Sequence, residues 1–535
     1  MTRRAAYYGM GDIEHGANGT VVAMGEVAND HIEPRVNSFN SNKFVLSDRF
    51  LAKGMIVGFK SVTYTVIDSR DKRNKLDLLQ NVSGYLRPGE MSALMGPSGS
   101  GKTTLLDLLA GRKTVGQCTG EIAFGGHRPT SMFLRRFTGY VEQFDTLVPV
   151  LTVREMLMYT AELKRPRSEP VEAKAEAVEE LLRVLALHTC AGVQIGSSMA
   201  RGISGGQAKR VNIGIALVAN PRVLFLDEPT SGLDSYTASE VMSVVKSLSR
   251  QGITVCATIH SPTPYCFSLF DRLLLLLGGK AAYSGPNGKA AIDYFRNSAV
   301  CKGVAALAPG QNEAEWIVDL TVKADRQGRA GELAEAFASS DRCAEEREEL
   351  ESALGNSEAL DAQVASELAV RRSTVTPFWH ALWVLLKYRT SRNYRDPGYI
   401  MPRLADKVLF SFIIATLYLH VGKDLSSTNV VNLSSLVFIS VVLPAYSASA
   451  YVPSLVLDRP LFLRERADGL YRVITYLVHR IVEEAALAIP LSVGVAALIF
   501  YPVELQGSFL AFWLVYLVTL LIGIMLGYMI ASISK

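Results

Sequence analysis

Eight residues, Gly96–Thr103 (GPSGSGKT), have the types and spacing needed to hold phosphate. Gly96, Gly99 and Gly101, with Pro97, Ser98 and Ser100 between them, let backbone amides turn inward around phosphate oxygens. A helix beginning just after them would add its positive N-terminus to the same charge. Lys102 would then hold the β- and γ-phosphates, and Thr103 the accompanying Mg²⁺. A second element, Val223–Glu228 (VLFLDE), is an apolar run ending in two carboxylates. Asp227 would sit near the metal, and Glu228 would orient and deprotonate an attacking water. Alone, such a run is mostly structural. With Lys102 upstream it points to nucleotide hydrolysis.

Residues so placed need a buried sheet behind them. Met91–Met95, Val223–Leu226, Thr254–Ile259 and Leu273–Leu277 read as its strands. Glu172–Leu187 reads as a helix with Val178, Leu181, Leu182 and Leu185 on one side. The predicted fold is therefore an α/β phosphate-loop cassette over 51–322, followed by an all-α multi-pass membrane domain over 404–535. Residues 1–50 read as a mobile tail, with no apolar core for a secretory signal. The stretch 323–372, rich in Ala and Glu, reads as a helical linker whose charges form a solvated face. Over 373–403 an amphipathic connecting helix is expected. Its apolar stripe is Phe378, Trp379, Leu382, Trp383, Leu385 and Leu386, with Lys387, Arg389, Arg392 and Arg395 following. Such a helix suits the membrane interface, and a core-facing helix is the alternative.

Four stretches, about 404–422, 430–453, 483–503 and 508–533, are the expected spans, with Asp406 and Lys407 near the surface of the first. Pro444, Pro453 and Pro490 would kink these helices and are tolerated in a bilayer. Basic residues precede the first stretch (Arg389 to Lys407) and follow the second (Arg459 to Arg480), which places both regions and the cassette in the cytosol. Asn432-Leu433-Ser434 is a glycosylation sequon on the outer side, too near the membrane for use. Gly523 and Gly527 form a G-x-x-x-G pair, a weak indication of close helix packing. The net charge of +4 gives no footing to a nucleic-acid partner. The six cysteines, Cys118, Cys190, Cys256, Cys266, Cys301 and Cys343, include no C-x-x-C pair and read as free thiols in a reducing cytosol.

The order of further motifs resembles the ATP-binding-cassette (ABC) proteins. Gln143 in YVEQFD resembles their glutamine loop, Ser204-Gly205-Gly206-Gln207 their signature, Asp234 in SGLD their D-loop, and His260 their switch histidine. The resemblance implies ATP and Mg²⁺ as cofactors. It implies that Thr104 joins the phosphate loop in binding ATP, and that Gln143 senses metal and γ-phosphate. It also implies that Ser204–Gln207 touch ATP held by a second chain. Cassette first and spans second resembles the G subfamily, the white/brown half-transporters and their pleiotropic-drug-resistance relatives. GPSGSGKTTLLDLLAGR, Arg392–Arg403 and the coupling segment Leu461–Glu484 carry that likeness, which extends over roughly 55–534.

What it implies is an ATPase that exports lipids, sterols or other hydrophobic small molecules. It would work as a homo- or heterodimer in a bilayer, the plasma membrane rather than an organelle. Three departures stand out. Gln207 replaces the usual Glu, Asn312–Leu320 lacks a proline after Asn312, and the sequence stops after four of six spans. A truncated gene model is expected over a natural four-span product. The alternatives are a transport-inactive subunit that binds ATP and a soluble ABC ATPase. Tyr64 either stacks on adenine or is, as more often, an ordinary strand aromatic.

Overall fold

A computed structural model describes residues 53–68, 73–197, 201–298, 307, 311–355, 362–370, 372, 374–424, 426–447 and 452–533. The expected tail at 1–50 and Cys301 lie outside these residues.

The cassette holds two sheets. Strands β1 (Val57–Ile67), β2 (Lys75–Leu86) and β4 (Gln117–Phe124) form an antiparallel sheet in the order β2-β1-β4. The larger sheet contains β3 (Met91–Met95), β5 (Thr138–Val141), β6 (Val223–Leu226), β7 (Thr254–Thr258), β8 (Arg272–Leu277) and β9 (Lys280–Pro286). Its order is β5-β6-β7-β3-β8-β9, parallel except for the final hairpin. The four expected strands are present, and the helix expected at Glu172–Leu187 spans Val171–Val184. Alternate side chains of β3 serve different cores. Met91, Ala93 and Met95 face the helical side, and Leu94 faces the antiparallel sheet. Both faces of the strand are thereby covered, which is why it reads as an unbroken apolar run.

The stretch 323–372 differs from the expected solvated linker. Helices Ala330–Ala338 and Asp341–Gly355 pack on the sheets, the first against β9 and the second against β1, β2 and β9. Glu346 is buried against Arg272 at 2.5 Å and accepts a hydrogen bond from Ser284 at 3.0 Å. Helix Ala362–Leu368 brings Glu367 onto Arg222, also at 2.5 Å. These carboxylates are buried because each finds a guanidinium, the condition under which charge enters an interior.

The connecting segment is not one helix to 403. Helix Phe378–Leu385 passes into a π turn, Leu386–Thr390, then a short helix, Ser391–Asn393. A new helix, Pro397–Leu417, begins where Asp396 caps the Gly398 amide and Pro397 needs no amide partner. The apolar stripe is divided. Leu382 and Leu385 are buried where the helix packs on Val153–Lys164 and Val473–Val503, while Trp379 and Trp383 stand 76% and 63% exposed.

Among the described residues, three helices are long and apolar enough to cross a membrane: Asn429–Tyr446 within Ser427–Ser447, Val473–Val503 and Phe509–Ile533. Leu510, Val518, Ile522 and Met529 on the last are exposed, a surface suited to lipid. The first expected span, about 404–422, is helical only to Leu417 and holds Asp406 and Lys407, with Arg403 just before it on the same helix. It is tied to Val473–Val503 at two heights, by Arg403–Glu484 at 3.1 Å and His420–Glu504 at 2.5 Å. Glu484 and Glu504 are separated by about 30 Å of helix, the thickness of a hydrocarbon core. Gly523 is a true close approach, since a Cβ there would lie 2.5 Å from Ala445 Cα.

Candidate functional site

Parallel strands β5, β6, β7 and β3 are neighbours, so their C-terminal ends share one edge of the sheet. Gln143 follows β5, Asp227 and Glu228 follow β6, His260 follows β7 and the phosphate loop follows β3. Residues far apart in sequence are thus brought together by topology alone.

The loop leads into helix Lys102–Leu109. Gly96, Gly99 and Gly101 all have positive φ, at 140°, 82° and 99°. A Cβ on Gly96 would also lie 2.1 Å from the Leu276 carbonyl oxygen. Lys102 is buried and its Nζ donates to the carbonyls of Gly96 and Pro97 at 2.8 and 2.9 Å. Burial lowers its pKa, and the nearby Glu228 and Asp227 charges oppose that shift. Ser100 Oγ is buried with no partner among the described residues. An orphaned hydroxyl inside a nest of amides fits a phosphate oxygen.

Thr103 Oγ1 donates to Asp227 Oδ1 at 3.1 Å. Burial raises the Asp227 pKa, resisted by hydrogen bonds from Thr258 and Thr103. Two hard oxygen donors in one small space suit Mg²⁺, which takes one or two protein ligands and leaves the rest to phosphate and water. Gln143 donates Nε2–H to Glu228 Oε2 at 2.7 Å, which leaves its amide oxygen as an acceptor. Glu228 itself has φ of 44°, unusual for a non-glycine residue. Its amide donates to Thr258 Oγ1 at 2.8 Å, and that hydroxyl donates to Asp227 at 2.7 Å. Glu228 and His260 line a 280 Å³ cavity together with Ser231, Leu233, Ser235 and Thr263.

The signature stands apart. Ser204 is exposed and caps helix Gly205–Leu217. Its Oγ accepts the Gln207 amide at 3.3 Å, and Gln207 Oε1 accepts the Ser204 amide at 2.9 Å. A glutamine closes this capping box as a glutamate would, which accounts for the departure at 207. Asp234 caps helix Ser235–Arg250 by accepting from the Thr237 amide and hydroxyl at 3.0 and 2.7 Å. Gly206 packs on the same Thr237, where a Cβ would meet the methyl at 2.1 Å. Among the described residues no hydrogen bond joins Ser204 or Asp234 to the phosphate loop. Tyr64 is buried and its hydroxyl donates to the Val115 carbonyl, so it is a strand aromatic and not an adenine platform.

Residues 79–231 match the ABC transporter family, and residues 380–535 match the ABC-2 type transporter family. Both are domains of ABC transporters. The chain's cassette is an ABC ATPase domain, joined to a helical ABC-2 type membrane domain. It is 34% identical to ABC transporter G family member 31 of Arabidopsis thaliana over 79% of this chain and 30% of that one. It is 32% identical to ABC multidrug transporter I of Aspergillus fumigatus, over 98% of this chain and 35% of the relative. Pleiotropic drug resistance protein 1 of Nicotiana tabacum is 32% identical, over 84% and 32% of the two chains. The chain spans about a third of the length of these relatives. A solved dimeric bacterial ABC transporter cassette is 27% identical, with a TM-score of 0.38, and covers 43% of this chain and 98% of its own.

Sequence reasoning missed several residues of the site. Thr258 is one, a buried threonine at a strand end that orders both carboxylates. Lys209 is another. Its Nζ donates to the Gln143 carbonyl at 2.8 Å and pairs with Asp145 at 3.0 Å, tying the signature helix to the glutamine loop. Arg464 of the membrane domain donates to the Thr146 carbonyl and to Asn212 Oδ1, so it touches both. The polar residue at a buried strand end was a visible sign for Thr258. The partners of Arg464 lie more than 250 residues away and leave none.

Proposed function

We propose that the protein is an ATP-driven exporter of hydrophobic small molecules, lipids and sterols among them, working as a dimer of half-transporters. Each ATP is bound by Lys102 of one chain and by Ser204–Gln207 of the other, with Asp234 near the shared boundary. Pro97, Ser98 and Thr104 complete the phosphate loop. Mg²⁺, held by Thr103, Asp227 and Gln143, supplies charge neutralisation at the phosphates. Glu228 orients a water, which attacks the γ-phosphorus. The bond to the bridging oxygen breaks, Glu228 takes the water's proton, and His260 steadies the γ-phosphate. Closure of two cassettes pushes on the coupling segment and turns the spans from inward- to outward-facing, and hydrolysis resets the pair. Four spans, with the first at about 404–422, set in the plasma membrane with the cassette in the cytosol, complete the reading.

One observation carries it most strongly. The loop that offers Gln143 to Glu228 is the loop held by Arg464 of the membrane domain. A soluble ABC ATPase has no use for that contact or for three membrane-length helices. The Glu228→Gln protein in detergent should bind ATP as the native protein does. Its turnover should fall by about 100-fold or more, the usual weight of a general base. Steady hydrolysis at the native rate would refute the assignment.

A further inference from the structure

The Gln143 loop is not the sole route between the phosphate loop and the membrane domain. Helix Lys102–Leu109 ends at Gly111, with φ of 68°, where a Cβ would strike Leu134 at 2.5 Å. The Arg112 amide closes back on the Asp107 carbonyl at 2.8 Å, so the Arg112 backbone is fixed to the helix. Helix Val452–Ala467 ends in the same way. Gly469 has φ of 71°, and the Leu470 amide closes on the Glu465 carbonyl at 3.0 Å. Asp468 sits between that helix and its glycine. Arg112 and Asp468 form an ion pair, with side chains only 15% and 10% exposed.

The surroundings hold the pair in place. The Arg112 guanidinium lies 4.1 Å from the centre of the Tyr140 ring and 3.3 Å from Glu142. Tyr140 in turn donates to Asp107 at 2.7 Å. Asp468 is 3.7 Å from Arg464, and Lys164 is a further positive charge nearby. A carboxylate at the negative end of a helix is unfavourable by itself. Its presence calls for a partner, and the partner stands just beyond the end of the helix whose first residues are Lys102 and Thr103.

We propose that Arg112 and Asp468 are transmission residues that report phosphate occupancy to the membrane domain from the far end of the phosphate-loop helix, alongside the Gln143 loop that Arg112 meets at Glu142. Phosphate drawn onto Lys102 shifts one short rigid helix, and Arg112 at its far end moves Asp468 with it. The Gln143 loop reaches Glu228 and the Arg112 pair reaches Lys102, and both contacts converge on one turn. The proposal rests on the exporter reading for its meaning, because only a coupled membrane domain needs the report.

The test uses the full chain in lipid nanodiscs, with Glu228→Gln added so that ATP stays uncleaved. Hydrogen–deuterium exchange of peptides over residues 452–480 is compared with and without ATP. ATP should protect this segment in the parent. Asp468→Asn and Arg112→Gln should each bind ATP with an affinity within about threefold of the parent and weaken the protection by about fivefold or more, the lower range of allosteric coupling. The double variant should do no worse than either single one, as expected for two ends of one link. Asp468→Glu, which keeps the charge, should restore protection if Asp468→Asn proves poorly folded. Native protection in Asp468→Asn, additive losses in the double variant, or no recovery with Asp468→Glu would overturn the proposal. If ATP protects nothing even in the parent, the exporter reading itself fails.

Discussion

The phosphate loop is legible residue by residue because its chemistry is local. Each glycine has a positive φ, and at Gly96 a neighbouring carbonyl also denies space to a side chain. Gly96→Ala should therefore abolish nucleotide binding, measured by fluorescent ATP analogue titration, while the distant antiparallel sheet stays folded. At position 207 the expectation is the opposite. Gln207→Glu keeps both bonds of the capping box and should leave stability unchanged within about 0.5 kcal/mol. Gln207→Ala removes one of them and should cost about 1 kcal/mol. In the proposed dimer Ser204 would be both cap and ligand. Its oxygen already accepts the Gln207 amide, so the hydroxyl proton remains free to donate to a phosphate. The phosphate loop could be read from its spacing, and the signature from its resemblance. Thr258 showed only as a polar residue at a buried strand end, because its role depends on β6 and β7 lying side by side.

Elements were readable where one face of periodicity decided them, and misread where burial came from pairing. The strands of the large sheet are apolar runs, and apolar runs are what a twice-covered sheet requires. The segment 323–372 is rich in charge, and charge reads as solvent. Glu346 and Glu367 are nevertheless interior, because Arg272 and Arg222 meet them there. A cassette cut at residue 322 should accordingly melt at a lower temperature than one cut at residue 370. Glu367→Ala in the full chain would leave the Arg222 guanidinium buried without its carboxylate. The expected loss is about 3–5 kcal/mol, read as an earlier denaturation midpoint. The stripe of the connecting segment was read as one face and is two. Leu382 and Leu385 fill the core while Trp379 and Trp383 look outward.

For the whole molecule, the proposed dimer makes a prediction about mixtures. A Lys102→Ala chain still offers Ser204, and a Ser204→Arg chain still offers Lys102. Each alone should be dead in ATPase assays. Co-expressed, they should recover activity, because a mixed dimer keeps one intact composite site. No recovery would mean that each site is built from a single chain.

The π turn at Leu386–Thr390 also acts at this scale. It places Lys387 and Tyr388 on Glu162 of the cassette, Arg389 on Glu465, and Thr390 on His479. Such a turn is an α-helix carrying one surplus residue. Were all its residues wound as ordinary α-helix instead, everything beyond would be rotated by about 100°. The turn therefore sets a phase between the cassette and the membrane domain, much as a keyway fixes two wheels on one shaft. Two parts can each be sound, and the machine still fails if they are assembled out of step.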